Sequence, residues 1–439
     1  MGPTKNNNQL QSDNQSWSQF LPLRVVNKEC RGEKRAKFAV VGAGLTGLAT
    51  ARRLAELHPS EEIILLDGRE IGQNASGRNS GFAVVHSHFP GDFNAKLLKG
   101  YQRMDRLNKK GIDILRSQVS GNSIECDWRE DGLYHTASDK SALKSYQSFI
   151  NYLENRNISH QSLNQEELRA QLGTSWYQKG VKVSEGALMN PAKLLRGLVD
   201  NLPSNVRLYE NSPVLSFTSG SQITLQTENA YIVADKVLLA CNYEATKIGV
   251  IKQKMLGVTL SGSFTRRLTE SELTTLGRVC SWGVMSLHGG GATLRLTADN
   301  RIAIRNTAEY NRSKLFTAAE VNVRQQVHRQ AFDNRFPQLR AVEFENSYSC
   351  VEGVSANKTN FFEKLADNLF LAGGFNGSGI SKGAAFGVAL AEYASNQTSE
   401  LISDCLHCPT ALWMPPSPLL GVGARFMVKQ RFKGVGKDR

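Results

Sequence analysis

Long apolar runs are missing from this 439-residue chain. No stretch approaches the ~20 consecutive apolar residues that a membrane-crossing helix needs. Residues 1–18 are rich in Asn, Gln and Ser and lack the apolar core of a secretory signal. They are expected to form a disordered start, followed by an extended arm at residues 20–26, and the expected location is cytoplasmic. Cysteine is sparse: seven residues, odd in number and scattered, which argues against a disulfide framework. Cys405 and Cys408 make the one CxxC. No second pair and no histidine pair at ligand spacing accompanies it, so two reduced thiols and no metal site are expected. A basic–aromatic module is lacking too. The formal net charge of +13 is therefore not read as a nucleic-acid surface. Acidic substrates or lipids are the partners such a charge attracts.

What the chain does have is glycine in particular places. Residues 38–41 form a short apolar run that reads as a buried strand. It leads into Gly42-Ala43-Gly44-Leu45-Thr46-Gly47, a helical pattern, and a second apolar strand, Ile63–Leu66, ending on Asp67. Gly42 permits the tight turn. Gly44, without a side chain, lets a pyrophosphate approach the backbone. Gly47 lets the helix lie close on the sheet. The helix N-terminus offers free N–H groups and a positive dipole end. Asp67 stands where an acid accepts hydrogen bonds from a ribose 2′-hydroxyl. Strand, glycine turn, helix, strand and acid together predict a dinucleotide site.

A second small-residue loop follows directly: Ala75-Ser76-Gly77-Arg78-Asn79-Ser80-Gly81. Near the far end stands Leu369-Phe370-Leu371-Ala372-Gly373-Gly374-Phe375-Asn376-Gly377-Ser378-Gly379-Ile380, and between them Val237-Leu238-Leu239-Ala240-Cys241-Asn242. With these three motifs the sequence resembles the D-amino-acid oxidase superfamily of flavoproteins. It looks most like the γ-glutamylputrescine oxidase and glycine oxidase members. The resemblance spans roughly residues 37–400 and implies an α/β (α+β) fold: a Rossmann-like FAD-binding domain of glutathione-reductase type, and a substrate domain on a mixed or antiparallel sheet. It implies FAD, held at the three motifs together with Gly68, Arg69 and Val214. Some relatives link FAD covalently through a histidine. Arg78 stands at that position here, so the FAD is expected to be non-covalent. A helix starting near Gly379 would face the flavin and stabilise negative charge on it.

The same resemblance implies that an amine or amino acid loses a hydride to flavin and leaves as an imine, with no dedicated base. Oxygen or a membrane quinone would then take the electrons; a role in RNA modification is a further alternative. The arginine that usually holds a substrate carboxylate is absent from its usual stretch, here Cys350-Val351-Glu352-Gly353-Val354-Ser355-Ala356-Asn357-Lys358. Ser378 stands where a histidine is frequent. Arg305 and Arg295, on a hairpin of residues 292–296 and 301–305, are the candidate anchors. Lys358 is weaker. His86, His88 and His288 are candidates for a place over the ring.

The chain should hold two domains. The expected FAD domain comprises residues 37–100, 180–248 and 364–405, and the substrate domain residues 101–179 and 249–363. Residues 1–36 form an N-terminal extension and residues 406–439 a basic tail. In that tail Leu419–Phe432 reads as an amphipathic helix. It either docks on its own domain or touches an anionic membrane surface.

Overall fold

A computed structural model describes residues 15–86 and 93–438; His88 and residues 1–14 of the disordered start expected at residues 1–18 lie outside the described residues, while Trp17–Phe20 forms a 3-10 turn instead. Two eight-stranded sheets organise it. The first runs in the order Phe361–Ala366, Leu369–Gly373, Ala230–Leu239, Gly32–Val41, Ile63–Leu66, Val206–Tyr209. It is parallel except at the Phe361–Ala366 edge, with an antiparallel ribbon, Ser216–Thr218 and Ile223–Gln226, hung on Ala230–Leu239. Central strands of a parallel sheet are covered on both faces, which is why they read as unbroken apolar runs. Every residue of Ile63–Leu66 is buried. The motif at 237–242 starts inside the strand Ala230–Leu239 and runs on past its end.

The glycine motifs turn their helices back onto this sheet. Leu45–Leu57 and Gly379–Ala394 pack side by side at a small-residue seam. A Cβ on Gly387 would sit 2.3 Å from the Thr46 carbonyl oxygen, and Thr50 Oγ1 donates to the Thr46 and Gly387 carbonyls at 2.8 and 3.0 Å. Helix Leu98–Gly121 joins them. A Cβ on Gly111 would lie 1.6 Å from the Ser381 carbonyl oxygen. That helix therefore lies against the nucleotide side, and the border drawn after residue 100 falls inside it.

The second sheet runs Phe344–Ser355, Met255–Thr265, Ile302–Glu309, Thr293–Leu296, Trp282–Ser286, Leu133–Ala137, Lys179–Val183, His160–Asn164. It is mixed: one pair, Trp282–Ser286 with Leu133–Ala137, is parallel and the rest are antiparallel. Lys179–Val183 belongs here, so the border at residue 180 cuts a strand. The border at 364 likewise cuts Phe361–Ala366, an edge strand of the first sheet. The strand Leu133–Ala137 begins only after a bent segment. Asp127 and Gly132 have φ of +55° and +94°, and two left-handed residues stop an extended run.

The described residues nearest each end are pinned to the rest of the fold. Trp17 is buried, stacks edge-on to Phe264 at 4.8 Å, and donates its indole N–H to the Asn79 carbonyl at 2.8 Å. Arg24 pairs with the buried Glu210 at 2.6 Å. At the other end Asp438 is buried against Arg335 at 2.9 Å.

Candidate active site

Between the two sheets lies a cavity of about 860 Å³, near the upper end of the roughly 300–1,000 Å³ of small-molecule sites. One end is built from the glycine motifs: Gly42, Gly44, Leu45, Thr46, Asp67, Gly68 and Arg69 line it, as do Ala75, Ser76, Gly77, Asn79, Ser80, Val214 and Ala240. Asn376, Gly377, Ser378, Gly379 and Ile380 reach the same space from the late helix. The two separated glycine turns thus converge.

Gly47, Arg78, Gly81, Gly373 and Gly374 do not line the cavity but shape its wall. A Cβ on Gly47 would lie 1.7 Å from the Gly42 carbonyl oxygen. Arg78 is buried and donates to the Ser349 carbonyl at 3.2 Å and to Gln73 Oε1 at 2.7 Å. A Cβ on Gly81 would strike Arg295 and the Met189 carbonyl oxygen. Gly374, at φ +69°, donates its N–H to Asn242 Oδ1 at 2.9 Å. Asn242 itself lines the cavity at φ +52°.

The helix ends show what this half is built to take. Helices starting at Lys140, Gln165, Pro191, Glu270, Ala318 and Glu400 each have a side chain capping their first turn. Leu45–Leu57 and Gly379–Ala394, whose starts line the cavity, have none from their own N-cap residue, as is also true of Leu98–Gly121 and Leu419–Phe432, which start outside it. Uncapped first-turn N–H groups are orphan donors and attract anions. Around the first of them the space is closed to side chains: a Cβ on Gly44 would sit 2.6 Å from Ser76 Oγ, which accepts the Leu45 N–H at 3.1 Å. Asp67 lies beside it, accepting from the Ala43 and Arg69 N–H groups at 2.8 and 2.9 Å. Burial raises its pKa to about 6 against those two bonds. Backbone donors at two points and an acid near one of them fit a dinucleotide that spans the cavity.

The opposite end belongs to the second sheet. His86, His135, Met285, His288, Thr293 and Arg305 line it, with Cys350 and Glu352. The two arginine candidates part company here. Arg295 is not among the lining residues. It is buried, donates to the Met189 and Gly81 carbonyls at 2.6 and 3.1 Å, and lies over Trp17 at 5.2 Å. It ties the Ala75–Gly81 loop to the hairpin. Arg305 faces the cavity, with Nη2 donating to Thr293 Oγ1. Burial lowers its pKa, and nearby Arg431 lowers it further. Arg301 leaves the site altogether, paired with Asp299 and Glu345 under Phe20. Lys358 sits in a turn and does not line the cavity.

His86 has both ring nitrogens engaged, by Asp105 at 3.1 Å and Glu185 at 3.0 Å. Burial lowers its pKa to about 4, with Glu185 opposing. Both partners are carboxylates, which only accept, so two ring N–H groups would suit this geometry better than one; with both nitrogens engaged, this histidine is held in place. His288 accepts the Gly290 N–H at Nδ1, 3.3 Å. Glu352, Asn242 and Arg431 were not singled out from the sequence. Glu352 stands in the very stretch noted for its missing arginine. Arg431 belongs to the tail.

The tail helix Leu419–Phe432 docks by one face: Ala424 is buried, and Val428 and Phe432 pack on Val258, Leu260, Ala308 and Cys350. Among the described residues no helix is long and apolar enough to cross a membrane.

Comparison with known proteins agrees with this geometry. Among curated sequences, γ-glutamylputrescine oxidoreductase of Escherichia coli is 24% identical over 374 residues, covering 83% of this chain and 84% of its own. The probable oxidoreductase OrdL of Haemophilus influenzae is 23% identical over 398 residues, covering 87% and 86%. Among solved structures, glycine oxidase from Geobacillus kaustophilus superposes with a TM-score of 0.70 at 17% identity, covering 83% of this chain and 96% of that one. Residues 37–393 match the DAO family of FAD dependent oxidoreductases, and the chain belongs to that family.

Proposed function

We propose that the protein oxidises a C–N bond of an amine or amino acid, with oxygen as electron acceptor. FAD, when bound, would supply a hydride acceptor for the carbon beside the amine nitrogen, and water would hydrolyse the imine product. The chain's own residues bind and orient. The two uncapped helix starts and Asp67 would hold the cofactor without a covalent link, since Arg78 is buried in bonds to Ser349 and Gln73. The Gly379 helix start would favour negative charge at the end of the cofactor nearest the substrate. Arg305 would anchor a substrate carboxylate, because its guanidinium fork matches two oxygens.

One observation carries this reading: a single cavity joins both glycine turns to the wall that contains Arg305. The test is anaerobic mixing of the FAD-loaded protein with amines, N-alkyl amino acids and γ-glutamyl amines. At least one class should bleach the flavin absorbance, and air should then restore it with release of peroxide. No bleaching by any of them would sink the proposal.

A second reading has an observation of its own. On the outer face of the docked tail helix, Leu419, Val422, Phe426 and Met427 are exposed, beside Arg425 and Lys429. An apolar stripe with basic flanks suits an anionic membrane surface, where a quinone would be the acceptor. Bleached protein that recovers with a quinone analogue in anionic vesicles, and not in air, would favour it.

A further inference from the structure

The structure assigns the C-terminal tail a part in substrate recognition: Arg431 is a specificity-determining residue that, together with Arg305, receives a carboxylate of the substrate. The inference rests on the oxidase reading above and adds to it a residue from outside the catalytic domains.

Three observations meet here. First, Arg305 and Arg431 line the same cavity. Second, the tail helix packs on the strand that carries Arg305, with Val428 and Phe432 against Ala308, and the Arg431 charge disfavours that of Arg305. Of the neighbouring arginines, Arg301 pairs with Asp299 and Glu345, Arg324 on the helix Ala318–Arg335 pairs with Glu309, and Arg295 is held by backbone carbonyls. Arg305 and Arg431 make no ion pair among the described residues. Glu352 offsets part of the charge from a distance. Arg431 is solvent-exposed and Arg305 half-buried, so the repulsion falls on Arg305, and an anion held between the two would relieve it. Third, donors are left for that anion. The bonds seen are from Arg305 Nη2 to Thr293 Oγ1 and from Arg431 Nε to the Gly289 carbonyl at 2.6 Å. A guanidinium has five N–H groups.

The tail is held in position for this task. Residues 289–291, a glycine run the rest of the mechanism does not use, form its seat. A Cβ on Gly290 would lie 2.6 Å from the Arg431 carbonyl oxygen and 2.9 Å from Val435. Beyond the helix, Asp438 accepts the Ala292 N–H at its carbonyl oxygen, 3.0 Å, and is buried against Arg335. The bond between Arg431 and Gly289 thus sits between two fixed points.

The experiment compares the full-length FAD-loaded protein with Arg431→Gln, Arg431→Lys and Gly290→Val, each first checked for a native thermal transition. Matched substrates with and without a carboxylate are compared by kcat/KM. Binding of benzoate, an unreactive carboxylate, is read from the flavin spectrum. In Arg431→Gln the carboxylate-over-neutral ratio should fall about tenfold or more, as expected for one lost charge-assisted hydrogen bond, chiefly through KM. Benzoate Kd should rise by a similar factor, and Arg431→Lys should restore part of both. Gly290→Val, which keeps Arg431 but lifts its seat, should behave like Arg431→Gln. An unchanged ratio with unchanged benzoate binding overturns the inference. If no amine reduces the flavin while benzoate binding still depends on Arg431, the oxidase reading fails and the anion site stands.

Discussion

The two ends of the cavity are made by different means. The nucleotide end is built from backbone: glycines, two uncapped helix starts and one acid, drawn from motifs that are each contiguous in sequence. The substrate end is built from side chains: Arg305, Glu352, His86 and Arg431 come from three strands or loops and the tail. Backbone sites admit no substitution of degree, because a Cβ either fits or does not. Side-chain sites can be tuned one group at a time. Damage to the first end should therefore be all-or-none, and damage to the second graded.

The severest test of that contrast is Gly47→Val. With a Cβ 1.7 Å from the Gly42 carbonyl oxygen, the turn and helix cannot keep their spacing. Purified protein should be colourless and take up no FAD; a yellow, active variant would remove the distinction. Next comes Asp438→Ala, which leaves Arg335 buried without its carboxylate. Breaking such a pair costs about 3–5 kcal/mol, read as lost stability in urea, with weakened selectivity in whatever protein remains folded. Arg305→Gln should cost about 1.5–3 kcal/mol, or roughly 10–150-fold in kcat/KM for carboxylate-bearing substrates, with the FAD content unchanged.

The smallest effect should be a pH dependence at Asp67. Its folded pKa is raised from 3.8 to about 6. The ligand-free fold therefore holds this proton more tightly than the unfolded chain does. The stability it contributes is full below about 3.8 and is lost as pH rises through about 6. A ribose hydroxyl needs the ionised form as acceptor. FAD affinity should therefore weaken as pH falls below about 6, by up to tenfold per unit. Asp67→Asn should flatten that slope, and fluorescence titration of flavin release between pH 5 and pH 8 would measure both.

Legibility follows the same divide. The glycine turns and Asp67 could be read directly because strand, turn and helix are neighbours in the chain, and each glycine answers a local steric demand. The two sheets were expected from the family resemblance that these motifs carry. The arginines did not. Arg295 pairs across the hairpin with Ala303, and Arg305 with Thr293. They share one sheet face, about 7 Å apart along it. One is drawn under the Ala75–Gly81 loop by three carbonyls and the other is left facing the cavity. Nothing in the hairpin sequence separates them, because Met189, Gly81 and Trp17 arrive from elsewhere. Arg431 was hidden for the same reason at longer range: the tail helix shows its apolar stripe in sequence, while its destination depends on Gly290 and Arg335.

The seam between the Leu45 and Gly379 helices has one more consequence. Gly387 lies against Thr46 with no room for a methyl group, so the two cavity-facing helix starts behave like the jaws of a locked calliper. Their separation is set while the chain folds, and a nucleotide entering later need not draw them together. Preorganisation of that kind lowers the entropy lost on association. It also means that a cofactor shorter than the gap would touch one jaw and miss the other.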